Sequence, residues 1–272
     1  MAMLVLNDVF ADTWRNTVDL LWPAPADEFW PTAIARVPSL TFLAEVYWDR
    51  ERQMQQQGFH FTYDKGLLDS LVKRSPGEIR GHLHADAAYA RRLARFLENH
   101  DEARSEPAFG PLLPAAAAIT YTLPGMRFFF DGQLDGAEVH SPVQLGRWTD
   151  EIASDDVREL YRRLLTMIDL EMFHDGEWRL LDVRSAGDGT FDNLIATEWR
   201  RRDAHAVVVA NISGTDAQGL VQLGELPAGD AFDFVDQVDD RRYRWSRGDL
   251  ADGLYVRLAS GGAHLFFVEP VT

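Results

Sequence analysis

Leu40-Thr-Phe-Leu-Ala-Glu-Val-Tyr-Trp48 is a short apolar run that closes on a carboxylate and an aromatic pair. It is too short for a core helix and does not alternate apolar with polar, the pattern of a strand buried on both faces. Three further runs share that texture, at 58–64, 94–100 and 125–130. Helical stretches separate them at 65–74, 77–92 and 111–123. Another at 155–170 follows Ser154 as an N-cap, with Asp155 and Asp156 at the positive helix end. Strands that alternate with helices predict a parallel sheet, since the connections are long enough to cross over. In an α/β barrel the reactive face lies at the C-terminal strand ends. That rule picks out Glu45 and the pair His100-Asp101.

From about Trp178 the texture changes. Short strand-like segments at 178–183, 204–212, 219–223, 232–238, 242–245, 253–258 and 263–269 are punctuated by Asp-Gly and Gly-Gly dipeptides. Their spacing predicts an antiparallel sandwich of six to eight strands. The chain is expected to divide into residues 1–174 and 175–272. Its opening, Met1-Ala-Met-Leu-Val-Leu-Asn-Asp8, reads as a strand end leading into a helical pattern over 9–21.

A net charge of −16 repels phosphate backbones and anionic lipid, so nucleic acid and membrane surfaces are not expected as partners. A neutral ligand is compatible with it. Cysteine is absent, which excludes disulfides and thiolate metal sites. The opening segment lacks a basic region and has only six apolar residues, too few for a signal-peptide core, and a cytoplasmic location is expected.

Three motifs in order carry a family resemblance. Phe42-Leu-Ala-Glu-Val-Tyr-Trp48 resembles the fifth-strand motif of the α-amylase family, glycoside hydrolase family 13. Phe96-Leu-Glu-Asn-His-Asp101 resembles its seventh-strand motif, and Pro124-Gly-Met-Arg-Phe-Phe-Phe-Asp-Gly-Gln133 its eighth strand and the loop after it. The first eight residues are similar to the segment just past the nucleophile in members whose fourth strand reads G-x-R-x-D-M-A. The resemblance covers nearly the whole chain. It implies the second half of a (β/α)8 TIM barrel, from the end of strand four to helix eight over 1–174, then an antiparallel β-sandwich over 175–272.

By that resemblance Glu45 is the general acid and base, in a partly apolar setting supplied by Phe42, Tyr47 and Trp48. Asp101 bonds the sugar hydroxyls and favours the cation-like ring, with His100 beside it. Trp48 is a stacking platform for a pyranose; Arg104, Tyr63 and Gln133 are candidates for the rim of the sugar site. The implied enzyme acts on α-glucans or maltooligosaccharides by a retaining mechanism. Transglycosylases and glucosyl isomerases of the same family are the alternative, and a non-catalytic fragment or barrel-completing subunit is another.

The departures are specific. The nucleophilic aspartate and its arginine are not in the chain. The Lys-His pair that many amylases carry after the nucleophile would fall on Met3-Leu4 and is absent. No metal or other cofactor is expected, calcium entering only with an N-terminal half. The chain is therefore expected to be inactive alone, to expose apolar strand edges at 40–48 and 125–130, and to pair with a separate N-terminal half-barrel if one exists. Other patterns are weak. His82 and His84 do not share a helix face, Asp188-Gly-Thr-Phe-Asp192 lacks the spacing of a calcium loop, and Asn211-Ile-Ser213 is an isolated sequon.

Overall fold

A computed structural model describes residues 3–7, 28–47, 49–147 and 149–271 of the chain. Trp48 and the expected helix at 9–21 lie outside the described residues. The chain divides into two compact units: Met1–Gly66 with Ala85–Phe96 and Gly125–Phe128, and Leu67–His84 with Leu97–Pro124 and Phe129–Thr272.

In the first unit β1 (Met3–Asn7), β2 (Thr41–Glu45), β3 (Phe61–Tyr63), β4 (Leu93–Arg95) and β5 (Met126–Arg127) form one parallel sheet in sequential order. Sequential order without reversal is how a barrel sheet is built, whereas a doubly wound sheet reverses at a switch point. Helices α1 (Phe29–Arg36) and α2 (Glu51–Gln56) belong to the crossovers. Phe42, Ala44 and Val46 alternate onto one face of β2 and pack with Met54 and Phe59, while Trp30, Ile34 and Leu40 add to the cluster. The 40–48 edge expected to be unpaired is covered by β1, register Met3↔Thr41 to Asn7↔Glu45. Gly125 opens β5 at φ +122, and a Cβ there would stand 2.3 Å from the Leu93 carbonyl oxygen. Only glycine lets these two strands approach so closely.

Helix α3 (Lys65–Val72) follows β3. The single helix expected over 77–92 is two, α4 (Pro76–Leu83) and α5 (Ala87–Ala90). The break falls where Asp86 turns its carboxylate onto the Tyr89 amide, a local bond that competes with helix continuation.

The second unit holds α6 (Ser105–Phe109), α7 (Leu113–Thr122), α8 (Asp155–Ile168) and α9 (Met172–Asp175). Ser154 caps α8, its hydroxyl accepting from the Val157 amide, as its sequence predicts. Val157, Tyr161, Leu164, Met167 and Ile168 form the buried stripe of α8. The alanines of α7 pass close to β9 and β14 because they carry almost no side chain.

Among the described residues the β-rich part has nine strands rather than six to eight: β6 (Glu177–Leu181), β7 (Val183–Arg184), β8 (Leu194–Arg201), β9 (Ala204–Asn211), β10 (Ala217–Val221), β11 (Ala231–Asp236), β12 (Arg242–Ser246), β13 (Leu254–Leu258) and β14 (Ala263–Pro270). One sheet runs β12-β11-β14-β9-β8-β6 and the other β13-β10-β7. Their shared core includes Leu194, Val207, Val209, Val221, Phe232, Phe234, Val256 and Phe266. Edge strand β12 turns Tyr243 and Trp245 toward that core and keeps Arg242 and Arg244 outward on Asp233, a charged margin that discourages edge pairing. Among the described residues no helix is long and apolar enough to cross a membrane.

Candidate active site

Glu45 is the last residue of β2, on the face opposite Phe42, Ala44 and Val46. Phe42 thus packs away from the carboxylate it was expected to shelter. Glu45 is 4% exposed and accepts a hydrogen bond from the Tyr47 hydroxyl at 3.1 Å. A carboxylate this buried costs free energy unless something uses or satisfies it, which marks strand ends of this kind as sites for chemistry. The Tyr47 ring stands 6.4 Å from that of Tyr63. Tyr63, expected at the rim, is buried: its ring lies 4.9 Å from Phe96 and 5.6 Å from Phe128.

One buried pair escaped the sequence reading. Asp64, just past β3, and Arg95, ending β4, form an ion pair with both side chains only 2% exposed. Arg95 also donates to the Ala90 carbonyl at 3.4 Å. An arginine inside an apolar strand signals that a carboxylate must face it, but the sequence does not say which one.

The second acidic site stands on a braced turn in the other unit. Glu98 is fully buried; its Oε2 accepts the Ser105 amide at 2.5 Å, and Arg104 Nη1 lies 2.9 Å from Oε1. Burial pushes the Glu98 carboxyl up, against the opposing pull of Ser105 and Arg104. Asn99, also fully buried, turns its Oδ1 onto the amides of both Asp101 and Glu102 at 2.9 Å each, an Asx turn. The turn leaves His100 and Asp101 adjacent and open, Nε2 to Oδ2 3.5 Å apart with side chains 30% and 53% exposed. The ring of His140 reaches back to the His100 carbonyl, Nε2 to O 2.8 Å.

Arg104 and Gln133 are interior struts rather than rim residues. Arg104 is 1% exposed and donates to the carbonyls of Ala137 at 3.2 Å and Asp131 at 2.9 Å. Gln133, equally buried, donates to the hydroxyls of Tyr121 and Tyr161 at 2.6 and 2.8 Å and accepts from the Phe130 amide. Burial raises both phenols, that of Tyr161 to about 12, so they are neutral partners for the amide. Both residues hold the loop after β5 in place.

The weaker patterns resolve structurally. Asp188 accepts from the Thr190 amide and hydroxyl and from Gln218, closing a turn. Asn211 is fully buried, its amide donating to the carbonyls of Thr215, Leu258 and Ala259, so the sequon is not offered to solvent.

No protein-family model matches the sequence, and no curated protein matches it. Solved structures do. An α-amylase from Geobacillus thermoleovorans, solved with acarbose, is similar at TM-score 0.71 and 18% identity over 90% of this chain and 57% of its own. A maltogenic α-amylase from Thermotoga neapolitana gives 0.67 and 16%, covering 94% and 63%. A Nostoc punctiforme debranching enzyme gives 0.61 and 14%, covering 96% and 56%. The chain spans a little over half the length of these three solved structures. Its parallel strands in sequential order, succeeded by a β domain, have the fold of a C-terminal part of the α-amylases of glycoside hydrolase family 13.

Proposed function

We propose that this chain belongs to a protein acting on α-glucosidic bonds, with Glu45 as general acid and base and Asp101 as the carboxylate that favours the cation-like sugar ring, His100 beside it. The observation that carries the reading is Glu45 itself: a nearly buried carboxylate, bonded by a phenol, at the C-terminal end of a parallel strand in a sheet of sequential order. The solved relatives support the substrate class, being described as amylases, a debranching enzyme and a cyclomaltodextrinase.

In the proposed chemistry the protonated Glu45 gives its proton to the glycosidic oxygen as the C–O bond breaks. The resulting carboxylate then takes a proton from water or from a sugar hydroxyl. Water gives hydrolysis; a sugar acceptor gives transfer or isomerisation. A retaining route needs a second carboxylate as nucleophile, about 5 Å from the first. Turnover therefore belongs to a protein that supplies it.

A second reading comes from the same sheet. Among the described residues β1 and β5 each pair on one side only, and an eight-stranded barrel would close across them. On this reading the chain completes its barrel with a separate half.

Calorimetric titration of the 272-residue chain with acarbose and with maltoheptaose tests the primary proposal. Saturable binding that weakens at least ~10-fold in Asp101→Asn, about 1.4 kcal/mol, supports it. Absence of saturable binding at millimolar ligand overturns it. Size measurement with a co-expressed N-terminal half tests the second reading, a stable one-to-one complex being the expected outcome.

A further inference from the structure

The peptide unit between His100 and Asp101 is held at both ends by side chains. Its N–H donates to Asn99 Oδ1 at 2.9 Å, and its carbonyl oxygen lies 2.8 Å from His140 Nε2. A peptide is planar, so its orientation depends on two rotations, ψ of His100 and φ of Asp101. Bonds at opposite ends of the plane oppose both. The Asp101 carboxylate is carried on the Cα at the end of that plane, so its aim depends on the same two bonds.

The two ties differ in origin. Asn99 is two residues away and belongs to the turn itself. His140 comes from forty residues on, in the surface loop 138–151. That loop is pinched at its neck, where Glu151 Oε2 accepts the amides of Glu138 and Val139 at 2.7 and 3.1 Å. The Ser154 amide bonds the Asp135 carbonyl at 2.9 Å and anchors the next turn. Beyond the neck the loop exposes Val143 and Leu145, 59% and 62% accessible. It is a short Ω-type loop with close ends, a form often given to function.

We propose that His140 is a positioning residue for the candidate site: it couples the 138–151 loop to the direction of the Asp101 carboxylate. The proposal rests on the functional reading of Asp101 above. A carbonyl acceptor requires that Nε2 carry hydrogen, so the neutral ring must be the Nε2–H tautomer. A misplacement of about 1 Å at a reacting or stabilising group can cost on the order of 100-fold in rate, so a single bond to this peptide is enough to matter.

The test uses the full chain labelled with ¹⁵N. In His140→Ala the Asp101 amide nitrogen resonance is expected to shift upfield, because the preceding carbonyl loses its donor, and in His140→Gln it returns toward the original position. Acarbose affinity moves with it, falling about 10-fold in His140→Ala and recovering in His140→Gln. An unmoved Asp101 resonance in His140→Ala overturns the proposal, as does a neutral wild-type ring in the Nδ1–H tautomer. A moved resonance with unchanged affinity overturns the positioning role. If the wild-type chain binds no acarbose, the functional reading falls, while the Asp101 resonance and the ring tautomer still decide whether His140 holds the peptide.

Discussion

The indole nitrogen of Trp199 donates to the carbonyl oxygen of Thr122 at 2.6 Å, tying β8 to the last turn of α7. That carbonyl is among those a helix end leaves without an internal partner. Trp199 is fully buried, its ring 5.7 Å from that of Phe173. Replacement by phenylalanine removes the donor and opens a small void, and is expected to lower stability by about 2–4 kcal/mol. Urea unfolding monitored by circular dichroism measures this; a midpoint equal to wild type would remove the bond from the account.

The Asp64–Arg95 pair predicts an asymmetry. Arg95→Leu alone strands a buried carboxylate and should cost roughly 3–5 kcal/mol, whereas Arg95→Leu combined with Asp64→Leu removes both charges and should cost less. The comparison is a double-mutant cycle on thermal unfolding. Additive losses would mean that the two groups do not act as a pair.

Glu198 makes acid unfolding of the β-rich part predictable. It is fully buried, and desolvation alone would raise its carboxyl. Hydrogen bonds from His205 and Arg179, with the charge of Arg200, hold it instead at about 2. A carboxyl lowered on folding adds stability that is complete above its unfolded value near 4.5. That stability drains away as pH falls from there through about 2. The contribution is on the order of 2–3 kcal/mol, reduced from the bare shift because Arg179 is half exposed. Glu198→Gln should be less stable near neutrality and show a flatter decline between about pH 5 and about pH 2. A decline as steep as wild type would assign the acid sensitivity elsewhere.

In a protein that supplies the nucleophile, Glu45→Gln should abolish turnover of natural α-glucosides. It should spare glucosyl fluorides, whose leaving group needs no proton, and Asp101→Asn should harm both alike. Steady-state rates on paired substrates decide it, and equal losses on both substrates for Glu45→Gln would contradict the acid assignment.

The strands that the sequence made legible are those with a uniform apolar texture or a turn at each end. Strand β8 was not among them. Leu194-Ile-Ala-Thr-Glu-Trp-Arg-Arg201 carries a glutamate in mid-strand and two arginines at its end, which reads as surface. Yet six of its eight positions are buried, because β9 and β6 flank it and helices of the same unit cover it. Its glutamate is tolerated because Arg179 and His205, from two other strands, meet it there. Arg104 and Gln133 failed in the opposite direction. Polar side chains near a motif suggested a rim, but their donors are consumed by carbonyls and phenols brought in by chain closure.

The sequence by itself determined the alternation of strand and helix, the change to a β-rich part near 178 and the cap at Ser154, and it singled out Glu45, His100 and Asp101 as candidates. These depend on local propensity, period and short motifs, which act over a few residues. Only the tertiary structure decided which face of β2 carries Glu45, that β1 covers its edge, and that Tyr47 bonds its carboxylate. It alone showed that Asn99 and His140 grip one peptide from two directions. Pairing between residues tens of positions apart is set by register and packing, and no local pattern in the chain encodes the partner.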